Sequence, residues 1–307
     1  MTPVISVAGL SRRYRSTLAL DQVSFNIEPG SITGLLGRNG AGKTTLLRIL
    51  AGQEFASAGS VTVLGADPNT REHLLGRMVF VREDQRYPQY GGRFTVQHTL
   101  RAASWFYPNW DPALASVLAA DFGLPTGRRV MGLSRGMRSA LGIVIGLAAR
   151  AQVTLFDEPY AGLDPVARQL FYDRLLAEVA EHPRTVLLST HLIDEAAGLL
   201  ERVLVINRGQ IVLDAAADEV SGAATSVSGP AIAVAEFIAG RTVWDRRRLG
   251  PQESAVVAGA LEDTDRARAQ ALRLLLEPLS LQQVMVHVAG AAPVSQPGTH
   301  THERTSA

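Results

Sequence analysis

Residues 37–45 read GRNGAGKTT. Three glycines and an alanine leave almost no side-chain bulk, and the run ends in a lysine and two threonines. The stretch fits G-x-x-x-x-G-K-[ST], a phosphate-binding loop pattern in which small residues let the backbone approach a phosphate chain closely. Consecutive N–H groups from Gly40 to Thr45 can curl round the phosphates, and the start of the following helix adds a favourable dipole. Gly37, Asn39, Gly40, Gly42, Lys43, Thr44 and Thr45 are therefore candidate nucleotide contacts. Lys43 is expected to reach the β- and γ-phosphates, and the Thr44 hydroxyl to ligate Mg²⁺. The plain alternative is a glycine turn between a strand and a helix.

The flanks favour the first reading. SITGLLG (31–37) is a compact apolar strand leading into the loop, and TTLLRILAG (44–52) follows with leucines at helical spacing and a closing glycine. VISV (4–7), VSFNI (23–27), SVTVLG (60–65) and MVFV (78–81) read as short strands. From about 84 to 150 the character is helical, in TVQHTLRAASWFY, PALASVLAADFGL and LSRGMRSALGIVIGLAAR. Strand character resumes at VTLFD (153–157), a helix fits 165–181, and TVLLS (185–189) is followed by another helix. VLVINRGQIVLD (203–214) reads as a hairpin around Asn-Arg-Gly. Apolar runs without alternation at 153–156 and 186–188 predict strands buried on both faces of a parallel sheet. The fold class is α/β, with a mixed sheet, an N-terminal antiparallel part and an inserted helical subdomain at about 84–150.

After Asp214 the alanine, serine and glycine content rises, which places a boundary between a main domain, 1–214, and a small C-terminal extension, 215–289. RARAQALRLLL is expected to be a helix of that extension, and residues 290–307 a disordered tail. The 307 residues carry a net charge of +1, so no broad field draws the chain to nucleic acid or to an acidic membrane surface. Absence of cysteine excludes disulfides and thiolate metal sites and suits a reducing cytosol. MTPVISVAGLSRRY has no secretory pattern, and ALGIVIGLAA (140–149) is well short of the ~20 residues needed to cross a bilayer. Any role at a membrane therefore passes through a partner.

Two further stretches carry chemistry. VTLFDE (153–158) places two carboxylates at the C-terminal end of a buried strand, where open α/β sheets bind ligands. Asp157 is expected to hold Mg²⁺, directly or through water, and Glu158 to orient and deprotonate an attacking water. A solvated acidic pair before Pro159 is the plain alternative. LSRGM (133–137) opens a helix, with Ser134 as its N-cap. Ser134 is either that cap alone or, with the Gly136 N–H, part of a second anion site.

Taken in order, GRNGAGKTT, LSRGM, LFDEPYAGLD and STH resemble the ATP-binding cassette (ABC) family over about residues 3–214. The resemblance implies ATP and Mg²⁺ as ligands, hydrolysis of the γ-phosphate, and two cassettes packed head to tail. Each ATP then lies between one phosphate loop and the other subunit's signature helix, LSRGM here in place of LSGGQ. His191 matches the switch histidine that contacts the γ-phosphate, and Asp164 of AGLD the loop that couples the two sites. Tyr14 matches the aromatic that stacks on adenine, with an ordinary edge-strand tyrosine as the alternative. Glu83 stands where the family usually has a glutamine near the nucleotide and metal, with Gln85 two residues on. FYPNWDPAL (106–114) is similar to a segment of a bacterial exporter-type branch, and Phe106, Tyr107 and Trp110 also suit packing of the helical insertion.

The function implied is the ATPase subunit of a bacterial transporter, driving a polytopic membrane permease from the cytoplasmic face. The alternatives are a soluble ABC ATPase acting on DNA or ribosomes, and a regulatory cassette with little turnover. Arg246, Arg247 and Arg248 are expected to form a solvated face, not a nucleic-acid contact, and His300 and His302 lack a third metal ligand.

Overall fold

The computed structural model describes residues 2–70, 72, 74–82 and 93–290. Glu83 and Gln85, and the tail from 291 onward, lie outside the described residues.

A six-stranded sheet divides the main domain, in the order β5 (Met78–Arg82), β6 (Val153–Asp157), β7 (Thr185–Thr190), β3 (Ile32–Leu36), β8 (Arg202–Asn207), β9 (Gln210–Ala216). All neighbours are parallel except the β8–β9 hairpin. Every residue of β3, β6 and β7 is buried, as a parallel strand covered on both faces requires. Alternate side chains feed two separate cores. Val153 and Leu155 of β6 point to one of them, and Phe156 to the other.

The first core is closed by α1 (Lys43–Leu50) and an antiparallel sheet in the order β2 (Thr17–Ile27), β1 (Ile5–Tyr14), β4 (Ala58–Val63). VISV and VSFNI are thus only the apolar ends of much longer strands. The polar half of β1 pairs as well, through register shifts and a left-handed Gln22 (φ 53°) that absorb the broken alternation. The second core lies under α3 (Pro112–Asp121), α4 (Arg135–Ala148) and α5 (Pro165–Glu181), with α2 (Val96–Phe106) beside them. The helix after β7 is short: α6 spans Ile193–Ala196 and passes into a 3₁₀ turn.

The expected boundary at residue 214 falls inside β9. Beyond it, α7 (Ala217–Ser221) leads into β10 (Ala224–Pro230), α8 (Ala231–Ile238), β11 (Val243–Leu249), β12 (Gln252–Ala258), α9 (Asp263–Ala271) and β13 (Leu275–Pro278). The sheet order β11-β12-β10-β13, antiparallel throughout, is a split β-α-β arrangement with its own small core around Val234, Phe237 and Val257. RARAQALRLLL is not one helix. α9 ends at Ala271, Arg273 turns left-handed (φ 54°), and Leu275 starts an edge strand. That φ breaks a helix, while pairing with β10 satisfies the last residues' backbone. Arg246–Arg248 lie exposed on the other edge strand, where Arg246 pairs with Glu253 and Arg247 with Asp245.

The extension then returns to the main domain. Leu281, Val284 and Met285 of α10 (Leu281–Gly290) are buried in the same core as Ile193 and Leu199. Gln282 donates its N–H to Asp194 of α6 at 3.3 Å. Leu281→Ala should therefore cost about 2–4 kcal/mol and lower one shared thermal transition in calorimetry. A split scan in which only a minor transition moves would show that α10 does not share the core of the main domain.

Candidate functional site

Register builds the site. Leu36 of β3 pairs with Thr190 of β7, and Asp157 of β6 with Ser189 of β7. The residues just past the strands, Gly37, Glu158 and His191, therefore leave the sheet at one level, at its C-terminal edge.

The phosphate loop fits there only without side chains. A Cβ on Gly37 would lie 2.4 Å from the Ile206 carbonyl oxygen. Gly42 has φ 113°, and a Cβ on it would lie 2.7 Å from the Ala19 carbonyl. Gly40 is also left-handed, with open space where a Cβ would stand. The N–H groups of Lys43, Thr44 and Thr45 open α1 and have no partner within the helix. Asn39, Gly40, Gly42, Lys43, Thr44 and Thr45 line one side of a cleft of about 330 Å³, and Asp157 and Glu158 the other.

The Lys43 side chain is 5% exposed. It donates to the Gly37 carbonyl at 2.7 Å and lies 3.1 Å from Oε1 of Glu158. The other Glu158 oxygen is 3.0 Å from Nδ1 of His191. An ionised carboxylate only accepts, so this contact requires the hydrogen on Nδ1. Lys43, Glu158 and His191 thus form one chain, in which Lys43 and Glu158 line the cleft and His191, outside the lining, is bonded to Glu158. Glu158 has φ 46°, which is uncommon outside glycine and asparagine. Its N–H is held by the Ser189 carbonyl and hydroxyl, at 3.3 and 3.2 Å. Strain of this kind, fixed by neighbours, is a mark of functional positions.

Ser189 also donates to Oδ1 of Asp157 at 2.7 Å, so one hydroxyl orients both acids. Beside it, the Tyr160 hydroxyl shares a hydrogen with Thr190 Oγ1 at 2.6 Å and accepts the His191 N–H at 3.2 Å. Burial pushes the Tyr160 phenol up to about 12, so it stays neutral and able to donate. Ser189 and Tyr160 carry no motif role in the sequence reading. Their only signal is their place within the STH and DEPY runs.

Ser134, Gly136 and Asp164 do not line this cleft; they form a second cluster. Ser134 caps α4, accepting from the Met137 N–H at 3.2 Å, and Asp164 caps α5, accepting from Ala167 at 2.8 Å. The two helix starts interlock. A Cβ on Gly136 would lie 2.4 Å from the Gly162 carbonyl oxygen, and Ser139 donates to the Ala161 carbonyl at 2.6 Å. The glycine at 136 is therefore required by close packing within the chain. Tyr14 also stands apart from the cleft lining, with its hydroxyl bonded to Glu54.

A hydroxyl (Thr44) and a carboxylate (Asp157) on one cleft are oxygen donors of the kind Mg²⁺ takes alongside phosphate. Among the described residues, no three His, Asp or Glu side chains are grouped to hold a metal by themselves.

The family model described as ABC transporter matches residues 20–161. Nod factor export ATP-binding protein I of Mesorhizobium japonicum is 31% identical over 94% of this chain and 87% of its own length. The uncharacterized ABC transporter ATP-binding protein YdbJ of Bacillus subtilis is 35% identical over 68% of each chain. Among solved structures, an ATP-binding subunit of an ABC transporter superposes with a TM-score of 0.63 at 24% identity, covering 71% of this chain and 91% of that one.

Tyr160→Phe removes the hydroxyl shared by Thr190 and His191. It should cost about 1–2 kcal/mol in urea unfolding and lower phosphate release while leaving nucleotide affinity near wild type. An unchanged rate would mean that Tyr160 does not hold the His191 segment.

Proposed function

The chain belongs to the ABC transporter family, as an ATP-binding subunit, and from that premise we propose that it hydrolyses ATP to drive an exporter. The observation that carries hydrolysis is the contact of Lys43 with Glu158 in the phosphate-loop cleft, continued from Glu158 to His191. Export is supported by relatives whose names are those of Nod factor export ATP-binding proteins.

In this reading the backbone N–H groups from Gly40 to Thr45 cradle the phosphates, and Lys43 meets the β- and γ-phosphate oxygens. Lys43 now shares its ammonium with Glu158, so phosphate oxygens in the cleft compete for that cation. Glu158 is then left with a carboxylate oxygen that can accept from water, and the His191 Nδ1–H keeps it oriented. Water oxygen attacks the γ-phosphorus, Glu158 takes the proton, and the bond to the ADP oxygen breaks. Thr44 and Asp157 would hold Mg²⁺, which would supply charge neutralisation at the phosphates.

Ser134, Gly136 and Asp164 act on the nucleotide of a second cassette. Their placement away from their own cleft, on two interlocked helix starts, supports a head-to-tail pair in which the α4 N-terminus faces the partner's γ-phosphate. No described helix is long and apolar enough to cross a membrane. In this reading, which the family and the names of the relatives support, a polytopic permease holds the dimer at the inner face of the membrane, and residues 215–289 form an extension continuous with the cassette.

Glu158→Gln should bind ATP, lower phosphate release about 10²-fold or more, and accumulate as an ATP-bound dimer in size exclusion. Phosphate release at the wild-type rate would overturn the assignment of the base. Affinity purification from membranes should recover the permease, and its absence would count against the transport role.

A further inference from the structure

A cluster of charged and aromatic side chains lies beside α1, outside the cleft lining. Thr44 and Thr45, which line the phosphate cleft, and Arg48 form the partly exposed stripe of α1, one turn apart. Arg48 Nη1 lies 3.4 Å from Oε1 of Glu54. The backbone ties Glu54 to the same turn, since the N–H groups of Gln53 and Glu54 donate to the Arg48 carbonyl at 2.8 and 3.3 Å. Oε2 of Glu54 accepts from the Tyr14 hydroxyl and lies 3.7 Å from Arg12 Nε. The Arg12 guanidinium covers one face of the Tyr14 ring, 4.5 Å from its centroid.

This arrangement restrains the ring twice, by its hydroxyl and by one face. A phenol on a strand end would otherwise turn freely about its side-chain bonds, and a stacking partner must be held still to contribute fully. Only one face of Tyr14 remains for a planar group. Glu54, 18% exposed and flanked by two arginines, is the node that joins that ring to the helix carrying the phosphate loop. Tyr14 lies next to Thr17 in the hairpin whose β2 continues to Ala19, itself on the cleft. The tether therefore runs along the side of α1 that the nucleotide meets.

We propose that Glu54 is the positioning residue of the base site: with Arg48 and Arg12 it fixes the Tyr14 ring at a set distance from the phosphate loop, so that affinity for the purine depends on a carboxylate that does not touch it. This rests on Tyr14 being the base platform.

Titration calorimetry of the full chain with two probes, Mg-ATP and inorganic tripolyphosphate, separates the two ideas. Glu54→Ala and Tyr14→Phe should each weaken ATP about three- to tenfold and leave tripolyphosphate unchanged, with Glu54→Gln in between. Tyr14→Ala should weaken ATP further, again without effect on tripolyphosphate. If Tyr14→Ala weakens ATP but Glu54→Ala and Tyr14→Phe do not, the role of Glu54 is refuted and the platform survives. If Tyr14→Ala leaves ATP binding intact, the platform is refuted and the tether with it. Equal weakening of both probes by Glu54→Ala would make it a fold residue only. Glu54→Gln keeps the side-chain volume, so it decides the matter if Glu54→Ala fails to fold.

Discussion

The parallel register of β3, β6 and β7 is the constraint from which the rest of the site follows. Strand pairing sets Leu36 against Thr190 and Asp157 against Ser189, so three loops begin on one line. A one-residue slip in any of them would turn its whole set of side chains to the other face and exchange the two cores. Such a slip is costly because every residue of these strands is buried, and each side chain would have to be repacked in the opposite core. The same burial that stabilises the sheet thus places a lysine, a carboxylate and an imidazole within hydrogen-bond reach.

Charge in the cleft is balanced by polar neighbours whose own needs are met. Lys43 is nearly dry yet has a carbonyl and a carboxylate; Glu158 has the lysine, the histidine and two bonds to its N–H. A buried ammonium without such partners would cost several kcal/mol. Ser189, Thr190 and Tyr160 add a layer of neutral hydroxyls that fixes where the acids and His191 stand.

Much of this was legible in the residues. The phosphate loop, the carboxylates after VTLF and the helix over 165–181 each carry a local pattern that the structure keeps. What was not legible is non-local. β1 and β2 extend through polar residues because each supplies the other's hydrogen bonds, which no periodicity signals. RARAQALRLLL carries helix-favouring composition throughout, and only pairing with β10 turns its end into a strand. Glu54 sits in a plain loop, and its meaning comes from a tyrosine forty positions away in sequence. Gly136 reads as a ligand contact, whereas the structure adds a packing demand from Gly162.

The return of α10 to the cassette bears on how the molecule is made. Leu281, Val284 and Met285 close a core whose other members are scattered from Ile32 onward. During synthesis the cassette would present an uncovered apolar strip beside α6 until residues near 285 leave the ribosome. Late, sequence-distant closure of this kind slows folding and prolongs exposure to misassembly. In nascent chains of this protein that core is therefore completed only once the extension has been synthesised.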